Sequence, residues 1–144
     1  MKKIILIFSC FLILAANSFA AIPNEKVLKS FEAIFNSATE IKWFDHKEYF
    51  EVRFVQANIR ANVKFDIDGN FISSMKYFQE QQLPANVLWK VKMKYADKKI
   101  FGVTEITTLD EIIYYVKLED SKSWLTIKVY GNGQMDVFEK YRKG

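Results

Sequence analysis

The amino-acid sequence predicts an α+β fold: two tandem helix-plus-four-strand repeats, arranged in two layers, that form one antiparallel sheet with both helices on one face. Three observations carry this. Apolar residues recur at helical spacing in two segments, each opened by an apolar residue and a proline. Each of these segments is followed by four short runs in which apolar and polar residues alternate with a period of two. The second half of the chain then restates the first at an offset of roughly 60 residues.

In the first repeat, residues 22–78, "IPNEKVLKSFEAIFNSA" places Val27, Leu28, Phe31, Ile34 and Phe35 on one side of a helix predicted over 24–37. Pro23 suits the first turn and Asn24 can cap it. "EIKWF" is short and β-prone. "EYFEVRF" sets Phe50, Val52 and Phe54 against Tyr49, Glu51 and Arg53, and "IRANVKFDI" sets Ile59, Ala61, Val63 and Phe65 against Arg60, Asn62, Lys64 and Asp66. A turn at Asp68–Gly69–Asn70 leads to a weaker strand, "FISSMKY".

The second repeat, residues 83–141, begins with Leu83–Pro84 and a helix carrying Val87, Leu88, Val91 and Tyr95 on its apolar side and Lys90, Lys92 and Lys94 on the other. "IFGVTEI", "EIIYYVKL", "SWLTIKVY" and "QMDVFEKY" follow as strands. At an offset of 64, "FEVRF" falls on "YYVKL", "ANVKF" on "LTIKV" and "DGN" on "NGQ"; the helices correspond at an offset nearer 61. Each repeat has one apolar sheet face to cover. A single sheet with both helices on that face covers both, and leaves the other face in water.

The chain has 144 residues and opens with Lys2, Lys3, the apolar run "IILIFSCFLILAA" and small residues at Ser18 and Ala20. That is the pattern of a secretory signal peptide over residues 1–20, cut near Ala20. It leaves residues 21–144 as one domain with no membrane span, in the periplasm or outside the cell. Cys10 lies inside the apolar run; lipoprotein processing before it would leave a very short apolar region, so it reads as part of the leader. The remaining chain has no cysteine, hence no disulfide, thiol nucleophile or thiolate metal site. The net charge of +4 becomes +2 without Lys2 and Lys3, and the basic residues are interspersed rather than striped. Nucleic acid is therefore not the expected partner. Aromatic residues make up 16% of the chain, more than one modest core can bury, so some rings should stay partly exposed.

The paired "IP" and "LP" helix openings, strands ending in an aromatic residue or valine, and the turns "DIDGN" and "YGNGQ", repeated behind a leader, resemble the secreted PepSY-like proteins, also described as similar to β-lactamase inhibitory proteins. The resemblance runs from Ile22 to about Tyr141. It implies a tandem helix-plus-four-strand fold in the cell envelope or beyond it, and, by analogy with the named inhibitor, a sheet face that grips a partner. The inhibitor has disulfides in its repeats, and this chain departs from it there.

No enzymatic signature is present, and no cofactor is expected. His46 is the sole histidine and sits in a turn, where a solvated role is the ordinary one; alone it cannot make a zinc site unless carboxylates complete it. Asp45 beside it has no nucleophile elbow to serve. "FDIDGNF" has the acidic start of a calcium loop but lacks the later bidentate glutamate, and its counterpart "VYGNGQM" replaces Asp66 by Tyr130 and Asp68 by Asn132 while keeping glycine. That pattern reads as a hairpin turn.

The outward sheet face offers more. If the apolar positions face the helices, Ile113, Tyr115, Lys117, Trp124, Lys128 and Tyr130 point into water in the second repeat, with Tyr49 and Arg53 in the first. With Leu118 and Ser123 flanking the turn, Lys117 lies opposite Trp124 and Tyr115 diagonal to it. Rings beside charges on an open face have the composition of a protein-contact surface, although exposed rings also stabilise antiparallel sheets without any partner. Two functions stay open on the sequence: an exported module, inhibitory or otherwise, that binds an envelope or extracellular protein or peptide on this face, and a small-ligand or calcium-binding envelope protein.

Overall fold

A computed structural model describes residues 21–144; the leader predicted over 1–20 lies outside the described residues. The elements run α1 (Glu25–Ile34), β1 (Thr39–Asp45), β2 (Tyr49–Gln56), β3 (Ile59–Asp66), β4 (Phe71–Phe78), a 3₁₀ turn at Glu80–Gln82, α2 (Ala85–Lys94), β5 (Lys99–Thr108), β6 (Ile112–Glu119), β7 (Ser123–Tyr130) and β8 (Met135–Arg142). All eight strands join one antiparallel sheet in the order in which they occur in the chain. The predicted α+β architecture is the observed one. The two helices correspond at an offset of 60 residues, and α1 ends at Ile34 rather than near residue 37.

Asn24 caps α1 as expected, its Oδ1 accepting from the Val27 N–H at 3.0 Å, and its Nδ2 also donates to the Ile67 carbonyl at 2.8 Å. The cap thus ties the helix to the β3–β4 turn as well as satisfying its first turn. Val27 and Phe31 are fully buried against Phe50, Val52, Phe54, Val63 and Phe65. In the second repeat Val87 and Val91 pack on Val103, Tyr114, Val116, Leu118, Leu125, Ile127 and Val129.

Strand register shows that both helices cover the same face. The inward positions Ala61 and Val63 of β3 pair with Lys76 and Ser74 of β4. Those pair with Glu105 and Thr107 of β5, and Glu105 pairs with Tyr114 beneath α2. The same positions explain why the molecule has two cores where one was expected. At the junction of the repeats the helix-side residues are polar: Lys76 Nζ lies 3.1 Å from Glu105 Oε1, which also accepts from the Thr107 hydroxyl at 3.3 Å. This polar seam separates the apolar cluster under α1 from that under α2. Burial, and secondarily the Glu105 charge, push the Tyr114 phenol up from its ordinary value.

The glycine turns anchor each hairpin to its helix. Gly69 has φ +85° and Gly133 has φ +87°, which glycine adopts without cost. Space is as restrictive as conformation. A Cβ on Gly69 would stand 2.8 Å from the Lys26 carbonyl oxygen and 2.9 Å from Ser30 Oγ, and one on Gly133 would stand 2.0 Å from Lys90 Nζ. Ser30 and Lys90 occupy equivalent helix positions, so both repeats tuck a glycine against the same place on the helix.

Candidate functional site

The sheet face turned away from the helices carries the eight residues expected to contact a partner, because alternation sends Tyr49 and Arg53, Ile113, Tyr115 and Lys117, and Trp124, Lys128 and Tyr130 opposite to the core positions. Lys117 Nζ lies 4.7 Å from the Trp124 ring centroid and 5.6 Å from that of Phe101, while Phe101 meets Trp124 edge-on at 5.0 Å. Lys143 Nζ also sits over Trp124, at 4.5 Å, and pairs with Glu119 at 3.0 Å. Tyr115 packs edge-on against Phe138 at 5.0 Å. Lys128 Nζ rests 4.6 Å from the Tyr130 ring, and the nearby Tyr130 phenol holds the ammonium above the ordinary lysine range.

In the first repeat Arg53 lies over Phe44 at 4.5 Å and donates from Nε to Glu51 Oε1 at 2.7 Å. Glu51 also accepts from Asn62 Nδ2 at 3.1 Å, and His46 Nε2 stands 3.7 Å from its other oxygen. Glu51 is only 6% exposed, so a carboxylate expected on a solvated face is buried and hydrogen-bonded. His46 is likewise more than a loop residue: it stacks on Tyr49 at 4.5 Å, and Lys64 lies over that ring at 5.1 Å. Lys42 and Arg53 are direct cross-strand neighbours of like charge, and Arg60, opposite Val55, lies two pairs further along. These three line a depression with Phe44 and Tyr77; Tyr77 also borders a second depression with Phe101, Tyr115 and Lys117.

Two expectations change. The β6–β7 pairing is displaced by two residues: Trp124 lies opposite Glu119, Lys117 opposite Thr126 and Tyr115 opposite Lys128, so Tyr115 is not diagonal to Trp124. The cause is a short turn held by Asp120, whose Oδ1 accepts from the Lys122 and Ser123 N–H groups at 2.7 Å each and whose Oδ2 accepts from the Ser123 hydroxyl at 2.9 Å and from Lys98. An even displacement leaves every side chain on its face. Ile113, although on the open face, is 8% exposed, paired with Ile106 and Tyr130, and presents little surface to a partner.

Phe101 and Phe138 are the main omissions of the sequence reading. Each stands at a break in register, between Ile100 and Gly102 in β5 and opposite the Thr126–Ile127 step in β8. A β-bulge adds a residue outside the alternation that periodicity detects.

The "FDIDGNF" carboxylates are used locally. Asp66 Oδ1 accepts from the Asp68 and Asn70 N–H groups at 2.9 Å, and Oδ2 accepts from Asn70 Nδ2 at 2.9 Å. The Asn70 side chain, then its backbone N–H, hold this carboxyl below the usual range. Asp68 pairs with Lys26 at 2.7 Å. Among the described residues no group of three or more His, Cys, Asp or Glu side chains is placed to share a cation, and no helix is long and apolar enough to cross a membrane.

No protein-family profile matches the chain, and no curated protein matches it in sequence. Solved structures do. A BLIP-like protein from Bacteroides fragilis has a TM-score of 0.63 at 17% identity, with 86% of this chain and 90% of that chain covered. A DUF2874 family protein from Bacteroides ovatus has a TM-score of 0.63 at 16% identity, covering 85% and 89%. A protein named as a candidate periplasmic protein from Bacteroides eggerthii has a TM-score of 0.62 at 16% identity, covering 85% and 90%. At these identities the likeness is one of fold, and the fold is the BLIP-like one that the sequence resembles.

Proposed function

We propose that the chain is an exported binding module that engages a protein or peptide through the open face of its sheet. The observation that supports this best is the placement of cations on aromatic rings across that face, with Lys117 between Phe101 and Trp124 as its centre. Rings so held are rigid and only partly covered, and an arriving surface can bury them while its acceptors meet the cations. The like-charged neighbours Lys42 and Arg53 fit the same reading, because a sheet gains nothing from placing them opposite one another. The fold neighbours support an envelope location and a partner-binding role through their names, BLIP-like and candidate periplasmic. An inhibitory role follows if the partner proves to be an enzyme.

The test is capture of a partner from envelope extracts with tagged protein, followed by titration of the purified partner. Trp124→Ala, with the fold confirmed by circular dichroism, should weaken binding at least about tenfold, the loss expected of a buried aromatic anchor. A partner bound equally well by the variant would refute the assignment to this face. If the partner is an enzyme, its activity should fall in proportion to occupancy.

A further inference from the structure

On the opposite side of the molecule, we infer that the outer ridge of α2, together with the helix-side residues of edge strand β8, docks on an anionic lipid surface. The two helices hold the same place in their repeats, and they differ outside the core. Lys29, Ser30 and Ala33 of α1 correspond to Trp89, Lys90 and Met93 of α2. The outer side of α1 is an ordinary solvated one, with Lys29 paired to Glu25 at 2.8 Å and Lys26 to Asp68. At these three outer positions α1 packs on the sheet without a large apolar residue, and its exposed Ile34 corresponds to Lys94 of α2. On α2, Trp89 is 64% exposed and Met93 65%.

Charge is segregated as well. The α2 segment contains no acidic residue. The acids nearest to it in sequence are taken, Glu80 by Lys92 and Asp97 by Lys98. Strand β8 then sorts its own charges between the two faces. Asp136 and Glu139 pair with Lys128 and Thr126 on the open face, whereas Lys140 and Arg142 pair with Leu125 and Ser123 on the helix side, where Val137 is also exposed. Among the described residues Lys90, Lys94, Lys140 and Arg142 form no salt bridge. Met135 joins Trp89, Lys90, Met93 and Lys94 around one shallow hollow beside Gly133, so ridge and strand are continuous.

A ridge of this kind fits a bilayer better than a protein groove. Its apolar residues lie at helical spacing around only a shallow hollow, and its cations are of one sign without acids to fix register. Tryptophan with lysine at the margin is the composition of interfacial helices. Anionic headgroups would meet these four cations, none of which has a carboxylate partner, while Trp89 and Met93 enter the headgroup–acyl boundary. The contact is peripheral, since no described helix spans a membrane.

Flotation with vesicles tests this. Full-length mature protein should partition onto phosphatidylcholine vesicles containing about one-third phosphatidylglycerol, and not onto pure phosphatidylcholine. Each cation near such a surface contributes about fivefold, so Lys90→Gln with Lys94→Gln should lower partitioning about thirtyfold. Trp89→Ala should weaken it, and high salt should release the protein. Lys26→Gln with Lys29→Gln on α1 should change nothing, as should Trp124→Ala, which also separates this contact from the open-face reading. Equal binding to both vesicle types, binding to neither, or loss on Trp124→Ala in place of the α2 changes would each overturn the inference. So would a protein partner held by this ridge while vesicles are ignored.

Discussion

Replacing Gly69 by alanine should destabilise the fold clearly more than the equivalent change at Gly133, although the two turns look alike in sequence. Both glycines have φ near +85°, so both alanines incur the left-handed penalty of about 1–2 kcal/mol. A stiffer unfolded chain returns about 0.4–1 kcal/mol in each case. The difference comes from what the new methyl group meets. At Gly133 its nearest neighbour is Lys90 Nζ, the end of a flexible side chain that can swing aside. At Gly69 it meets the Lys26 carbonyl oxygen at 2.8 Å and carbon at 3.0 Å, which are helix backbone and cannot leave without moving α1. Overpacking of that sort costs about 1–3 kcal/mol. Gly69→Ala should therefore cost about 2–4 kcal/mol and Gly133→Ala about 1 kcal/mol, read as shifts in urea midpoint at unchanged m value. Asparagine sharpens the comparison, because it tolerates positive φ but keeps the Cβ: Gly133→Asn should be nearly neutral and Gly69→Asn still costly. Equal losses at the two sites, or a larger loss at Gly133, would refute the claim that close approach to α1 is what requires glycine in the first repeat.

Two further expectations concern turns. Asp120 has its carboxyl held far below the usual carboxylate range, first by Lys98, then by the Lys122 N–H and the Ser123 hydroxyl; its contribution is present above the unfolded value near pH 4 and is lost as pH falls below it. Asp120→Asn should accordingly flatten the acid limb of a stability–pH profile measured by urea unfolding, and an unchanged limb would count against that network. At the β2–β3 hairpin, Ala57 and Asn58 have φ 50° and 62°, so Ala57→Gly should raise the midpoint by up to about 1 kcal/mol of stability by relieving a strained alanine, and a loss would show that the alanine methyl packs usefully.

The fold was readable because burial in this molecule obeys periodicity almost everywhere. From Ala61 onward in β3 and throughout β7 each second residue is buried; on the helices Val27, Phe31, Val87 and Val91 are buried as spaced, whereas Leu28 and Ile34, expected on the apolar side of α1, are exposed. Details that depend on single hydrogen bonds were not readable. The β6–β7 register turns on Asp120 closing a tight turn, which composition does not reveal. The β2–β3 hairpin uses Ala57–Asn58 in the left-handed region, without the Asn-Gly signature such turns favour. Phe101 and Phe138 reach the open face through bulges, and Glu51 is buried there by Arg53 and Asn62 from the same strand and the next. Periodicity places a side chain on a face; whether it is covered depends on neighbours contributed by other strands.

The two repeats have kept one backbone plan and diverged on both of its outer surfaces. Where α1 carries paired charges, α2 carries tryptophan, methionine and lysines without a carboxylate partner; where the first repeat's open face is chiefly charged, the second has Trp124, Tyr115 and Phe101. Neither difference is needed for folding, because the two apolar clusters, the second of which also takes Phe78 and Ile59 from the first repeat, are built from other residues. The divergent surfaces face opposite ways. A molecule resting on lipid through α2 would turn its open sheet face away from the bilayer, toward any partner in the aqueous space. Strand β8 joins the two surfaces, sending Val137, Lys140 and Arg142 to one and Asp136 and Glu139 to the other. A single alternating edge strand can therefore serve both contacts without either obstructing the other.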